Sequence, residues 1–168
     1  MSEGALAGPP AAVVSGANRG LGLELCRQLR QRGWRVFALC RSSSAELDGL
    51  STPPAGATNQ HQAAGESGGS LTVVTGIDVA SDSCVAVLQA ALAGVPVGLL
   101  IANAGILGVD SLADLDTAAI RSQFEVNALG PLRVVHALRP NLQPSSSKLA
   151  LITSKIRSML LALPSLFS

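Results

Sequence analysis

Apolar residues in this chain come in short continuous runs separated by stretches of helical period. Ala11 to Val14 is one such run, and it opens into Ser15-Gly16-Ala17-Asn18-Arg19-Gly20-Leu21-Gly22. A helical pattern follows, with Leu21, Leu25, Cys26 and Leu29 on one face, Glu24, Arg27, Gln28 and Arg30 to Arg32 mostly on the other, and Gly33 as its stop. Val36 to Cys40 predicts a second strand and Leu71 to Ile77 a third. The stretch between them, 51–70, is rich in Ser, Gly, Ala and Pro and reads as an exposed low-complexity insertion. Asp82 to Ala93 reads as a helix and Gly98 to Ala102 as a fourth strand. Leu115 to Leu138 reads as a long helix, broken or bent near Gly130-Pro131 and ended by Pro140 and Pro144. Lys148 to Thr153 gives a fifth strand.

The strand runs do not alternate with polar residues, as expected of strands covered on both faces. Strands alternating with helices at this spacing predict parallel β-α-β units with right-handed crossovers. The expected fold is therefore an α/β, Rossmann-type doubly wound parallel sheet of about five strands in the order 3-2-1-4-5, within a single domain.

Composition narrows the function classes. An apolar fraction of 48% against 14% charged residues excludes a disordered chain, and a net charge of +1 offers no basic field for nucleic acid or an anionic membrane. Cys26, Cys40 and Cys84 are far apart, form no C-x-x-C pair and have only His61 and His136 as further soft ligands, so they read as buried thiols of a reducing compartment. Ser83 to Val109 carries no charge and is long enough to span a bilayer, but Gly94, Pro96, Gly98, Asn103, Gly105 and Gly108 interrupt it. A helix, a turn and a buried strand explain the same apolarity. The first ten residues lack a basic region and a long apolar run, so the expectation is a cytoplasmic protein without a membrane span.

A glycine-rich turn between a strand and a helix suits a pyrophosphate. Glycine tolerates positive φ, lets main-chain N–H groups approach the ligand, and delivers it to the positive end of the helix dipole. The spacing Gly16, Gly20, Gly22 differs from G-x-G-x-x-G. It resembles the Thr-Gly-x-x-x-Gly-x-Gly turn of the short-chain dehydrogenase/reductase family, with Ser15 where Thr is usual; Asn18, Arg19 and Leu21 lie within the turn. Further matches follow in the family's order. Asp78, followed by Val79, looks like the acidic residue that bonds the adenine. Asn103-Ala104-Gly105 matches the Asn-Ala-Gly motif that supports the sheet and borders the cofactor. Asn127 and Ser154 stand where the family has its catalytic Asn and Ser. The resemblance runs from about residue 11 to residue 159.

An acidic residue about 20 positions beyond the glycine turn would bond the ribose hydroxyls of NAD, whereas an Arg there accommodates the extra phosphate of NADP. This chain has Arg41, and Arg19 in the turn can approach the same ribose. The expected cofactor is NADP(H).

The resemblance implies carbonyl reduction or alcohol oxidation on a small substrate, using a Tyr as proton donor and a Lys four residues later. The sequence contains no tyrosine. Lys155, beside Ser154 at a strand end, points the wrong way to substitute. The expectation is a C-terminally truncated form with a divergent tail at 160–168, inactive as written, with an apolar sheet edge open to self-association. The alternatives are a non-catalytic cofactor-binding or partner-binding protein of the same descent, or another Rossmann-type protein such as a methyltransferase, against which Arg41 argues.

Overall fold

The structure is a computed structural model and describes residues 11–51, 69–108, 115–143 and 145–153. Five strands make one sheet: β1 (Ala11–Ser15), β2 (Arg35–Leu39), β3 (Leu71–Val74), β4 (Val97–Ala102) and β5 (Lys148–Leu151), in the order β3-β2-β1-β4-β5. Every pairing is parallel, as expected from the sequence. The helices are α1 (Gly20–Gln31), α2 (Ala45–Leu50), α3 (Ser83–Ala91), α4 (Thr117–Phe124) and α5 (Gly130–Leu138).

β1 lies between β2 and β4 and is buried along its whole length. Its residues alternate between two cores. Val13 joins Phe37, Leu39, Leu88, Leu100 and Val134 on the side of α3 and α5. Ala12 and Val14 join Cys26, Leu29, Val36, Ala38 and Leu47 on the side of α1 and α2. A strand apolar at every position is what this placement requires, and each fully buried valine contributes roughly 1.5 to 3 kcal/mol.

Several boundaries differ from the sequence reading. On α1 the buried residues are Gly22, Cys26 and Leu29, while Leu21 is 55% exposed. Leu21 faces the cleft described below, so the 3.6-residue pattern misassigned it. β3 stops at Val74 instead of reaching Ile77, because Gly76 turns the chain with φ +78°. The short helix α2 was not expected. It carries a single buried residue, Leu47, too few for a periodic signal.

The expected long helix from Leu115 to Leu138 is three segments: α4, a π turn at Glu125–Leu129, and α5. The irregularity lies just before Gly130-Pro131. Pro131 has no N–H to donate, and its ring would press on the carbonyl four residues back. A wider turn relieves this, with the Gly130 N–H reaching back to Glu125 O. The close approach of Gly130 to Val79 fixes this point of the helix, since a Cβ there would lie 3.0 Å from Val79 Cγ2.

The uncharged stretch after Ser83 forms α3, a turn and β4, and among the described residues no helix is long and apolar enough to cross a membrane. Cys26, Cys40 and Cys84 are buried and free, as expected. Most of 51–70, Ser154 and 160–168 lie outside the described residues.

Candidate functional site

A cleft of about 770 Å³ opens at the carboxyl ends of β1, β2 and β4. Its place follows from the topology. From β1 the chain winds through α1 to β2 and β3, and it returns through α3 to β4 on the other side of β1, so the loops after β1 and β4 diverge. Ser15, Gly16, Asn18, Arg19, Gly20, Leu21, Gly22, Arg41, Asp78, Val79, Asn103, Ala104 and Gly105 all line this cleft. The sequence reading had thus brought residues from four separate segments to one place. It missed Leu39, Cys40, Ile77, Ala80, Ile106, Ser122 and Val126, which share the wall. Adjacency to residues already singled out, as of Cys40 to Arg41, Ile106 to Gly105 and Val126 to Asn127, was the signal for most of them, and Ser122 had none.

The turn after β1 is shaped by contacts that glycine alone permits. Gly16 has φ +66°, and a Cβ on it would stand 2.8 Å from Ala104 Cα. Gly20 has φ +56° with nothing within 4 Å, so its main chain faces open space. Gly22 packs on Gly16, where a Cβ would run into Gly16 O and come within 2.6 Å of Asn103 Nδ2. At the start of α1, Arg19 makes no side-chain cap and the first turn holds no acidic residue. The N–H groups of that turn and the positive end of the helix dipole are therefore available to an anion in the cleft.

Ser15 and Asn103 form the floor. The Ser15 hydroxyl accepts from Asn103 N at 3.0 Å and Ala104 N at 3.1 Å, and Asn103 Nδ2 donates to Ser15 O at 3.0 Å and Gly16 O at 3.2 Å. These bonds stitch the end of β1 to the end of β4. Asp78 Oδ1 accepts from Ala80 N at 3.1 Å, which folds the loop after β3 along the wall.

Arg19 and Arg41 are both exposed, and among the described residues neither side chain makes a hydrogen bond or ion pair. Arg41 is held through its main chain, its carbonyl accepting from Gly76 N at 3.0 Å while Cys40 O accepts from Ile77 N at 3.0 Å. Cys40 sits beneath, with its thiol pushed up by burial and by the negative charge of Asp48.

Asn127 lies in the π turn, outside the cleft lining. Its Oδ1 accepts from Ile106 N at 2.9 Å and its Nδ2 donates to Ile106 O at 2.8 Å, which ties the loop after β4 to the helix. Behind the wall, Arg133 binds Asp82 at 2.5 Å and Glu125 at 2.7 Å and donates to the carbonyls of Val79 and Glu125. Its pKa is raised by these hydrogen bonds to Glu125 and Asp82. No sequence signal had singled it out. Among the described residues no group of His, Cys, Asp and Glu could hold a metal ion.

The donor set fits a dinucleotide. It offers main-chain N–H groups for a pyrophosphate, the Asp78 carboxylate, and two arginines in the lining whose guanidinium groups have no partner among the described residues, in a volume within the range of cofactor sites.

Residues 10–162 match the short chain dehydrogenase family. The chain is 35% identical over 149 residues to 1-hydroxy-2-glutathionyl-2-methyl-3-butene dehydrogenase of Rhodococcus sp. (strain AD45), covering 88% of this chain and 57% of that protein. It is 34% identical over 140 residues to retinol dehydrogenase 8 of Homo sapiens, covering 82% of this chain and 41% of that one. It thus spans about half the length of the curated relatives it matches. Among solved structures, a carbonyl reductase from Pseudomonas aeruginosa PAO1 superposes with a TM-score of 0.71 at 30% identity, over 94% of this chain and 67% of that one. Sheet order, glycine turn and these matches agree, and the chain belongs to the short-chain dehydrogenase family of nicotinamide-dependent oxidoreductases.

Proposed function

We propose that this chain binds NADP(H), in preference to NAD(H), in the cleft at the carboxyl ends of β1, β2 and β4. The observation that carries this reading is an uncapped helix N-terminus beside two arginines, Arg19 and Arg41, that have no side-chain partner among the described residues. The main chain of Gly16 and of Gly20 to Gly22 would hold the pyrophosphate, Arg19 and Arg41 the 2′-phosphate, and Asp78 and Val79 the adenine. Ser15, Asn18, Asn103, Ala104 and Gly105 complete the walls. When bound, the nicotinamide supplies or accepts a hydride at a carbonyl or alcohol carbon. Asn127 would hold the Ile106 loop at that end of the cleft, and Ser154 is the hydroxyl proposed to orient a substrate oxygen.

The oxygen that gains negative charge as a carbonyl is reduced needs a proton donor within reach. These 168 residues contain no tyrosine, so the family's donor is not among them. We infer cofactor binding without turnover for these residues alone, and reduction of a small carbonyl or oxidation of an alcohol for any longer chain that contains them. The names of the relatives, dehydrogenases and a carbonyl reductase, support the reaction class. A cofactor-binding or partner-binding protein without chemistry is the second reading, favoured by the same missing tyrosine.

Calorimetric titration with NADPH and NADH tests the cofactor. Two charge-assisted bonds, discounted for screening at an exposed site, correspond to a preference for NADPH of about tenfold to a hundredfold. Equal affinities, or an undiminished preference in Arg41→Ala, would defeat the two-arginine reading.

A further inference from the structure

The two arginines sit on different loops, and two arginines recognise one phosphate only if those loops keep a fixed separation. Beyond the strands, a side-chain hydrogen bond that joins them is made by Ser44. Its hydroxyl donates to Asn18 O at 2.7 Å, next to Arg19 in the glycine turn, and accepts from Leu47 N at 3.2 Å as the N-cap of α2. One side chain thus links the glycine turn, the loop that follows Arg41, and a helix anchored by the fully buried Leu47.

The other hydrogen bonds of these loops run elsewhere, while Ala17, Cys40 and Leu47 share one buried cluster beneath them. Arg41 is fixed on the β3 side by the main-chain bond from Gly76, and Cys40 before it by that from Ile77, while the glycine turn is joined to β2 by Ala17 N on Leu39 O at 3.1 Å. Gly16 and Gly20, on either side of Ala17 to Arg19, are both at positive φ, so the chain turns sharply here. There the Asn18 carbonyl meets the Ser44 hydroxyl. The rest of the serine run serves other ends: Ser43 Oγ bonds the Asp48 carboxylate at 2.6 Å, and Ser42 is exposed.

We propose that Ser44 is a positioning residue for phosphate recognition, holding Arg19 and Arg41 at the separation that lets both reach the 2′-phosphate of NADP(H). The inference rests on the proposed NADP(H) reading and adds to it a residue outside the glycine turn and outside the cleft lining. A positioning role differs from plain capping in what it affects. Loss of a cap weakens everything that depends on the fold, whereas loss of the tether weakens the phosphate-dependent part of binding.

The test compares Ser44→Gly with Ser44→Thr. Glycine caps a helix nearly as well as serine but lacks the hydroxyl, and threonine restores it. NADPH, NADH, adenosine 2′,5′-bisphosphate and AMP are titrated by calorimetry against each variant, with thermal melts alongside. Ser44→Gly is expected to reduce the preference for NADPH over NADH, and for the bisphosphate over AMP, about threefold to tenfold. NADH and AMP affinities should change less than twofold, and Ser44→Thr should recover the preference.

Equal weakening of all four ligands, or a preference that survives in Ser44→Gly, overturns the inference. If the unaltered chain prefers NADPH and Arg41→Ala abolishes this while Ser44→Gly does not, the cofactor reading stands and only the role of Ser44 falls. No preference in the unaltered chain overturns both.

Discussion

Asn103 donates twice to Ser15, its main-chain N–H to the Ser15 hydroxyl and its Nδ2 to the Ser15 carbonyl, both at 3.0 Å. Ser15 is 2% exposed, so its hydroxyl acts within the fold, fixing the two strand ends between which the cleft opens. Ser15→Ala leaves the Asn103 and Ala104 N–H groups without this acceptor. We expect a loss of about 1 to 3 kcal/mol, measured by urea unfolding followed through the single tryptophan, Trp34. Ser15→Thr keeps the oxygen on a strand that suits a β-branched residue and should stay within about 1 kcal/mol of the original. Equal stability of the alanine variant would show that water replaces the hydroxyl there.

The two positive-φ glycines of the turn should respond differently to alanine. At Gly20 only the backbone conformation is strained, roughly 1 to 2 kcal/mol, because the space around it is open. At Gly16 the same strain is joined by collision with the Ala104 main chain. We expect Gly16→Ala to destabilise more than Gly20→Ala in paired melts. Gly20→Ala should nevertheless lose dinucleotide affinity, since its Cβ would occupy the open side of the turn. The reverse order of stability would mean that the end of β4 yields easily.

Much of this arrangement was legible in the sequence because its signals are local and strong. Glycine turns are punctuated by residue type, and strands buried on both faces show as unbroken apolar runs such as Ala11 to Val14. The cleft residues could be gathered because they stand at strand ends or in the loops and helix start that follow them, and a parallel sheet brings such ends together. What escaped depends on contacts between distant segments. Helix α2 has one buried side chain and no period to detect. Its start is capped by the Ser44 hydroxyl, one serine in a run of three that gives no distinct local signal. Arg133 carries no local signal, but the fold makes it a clamp on Val79, Asp82 and Glu125. The π turn arises from Pro131 meeting the packing of Gly130 against Val79, and no single segment records it.

Alkaline pH should destabilise the chain through Cys26. Burial pushes its thiol from 9.0 to about 12, with the neighbouring Cys40 adding to the rise. Between these values the unfolded chain has released the proton and the folded chain retains it, so the folded state binds more protons and stability falls as pH rises. The slope is at most about 1.4 kcal/mol per pH unit for this thiol. Cys40 and Cys84 are shifted upward too, in each case chiefly by burial, and they act in the same direction. The sequence has no tyrosine, so no phenol obscures the effect. Unfolding titrations from pH 8.5 to 10.5 should show a shallower decline in Cys26→Ala, whatever its starting stability. An unchanged slope would mean that Cys26 ionises without unfolding.

The outer strand leads to a prediction about association. Among the described residues β5 pairs with β4 alone, and Leu149, Leu151 and Ile152 are 48%, 53% and 46% exposed. Ile152 N still reaches Ala102 O at 3.0 Å, so the strand is held in register on its inner side while its outer side offers unpaired main-chain groups. A regular apolar edge of this kind is a template for pairing with another chain. Phe124, 59% exposed on α4, adds apolar surface. We therefore expect these 168 residues, expressed by themselves, to self-associate, with a mass by light scattering that rises with concentration. Leu149 and Leu151 share one face, and placing lysine at both should lower the apparent mass toward that of a monomer. NADPH should raise the melting temperature in proportion to its occupancy without dispersing the assembly, because the cleft and the edge are separate surfaces. A single monomeric species at every concentration would mean that another part of the chain covers β5, and the paired lysines would then destabilise the fold instead of dispersing it.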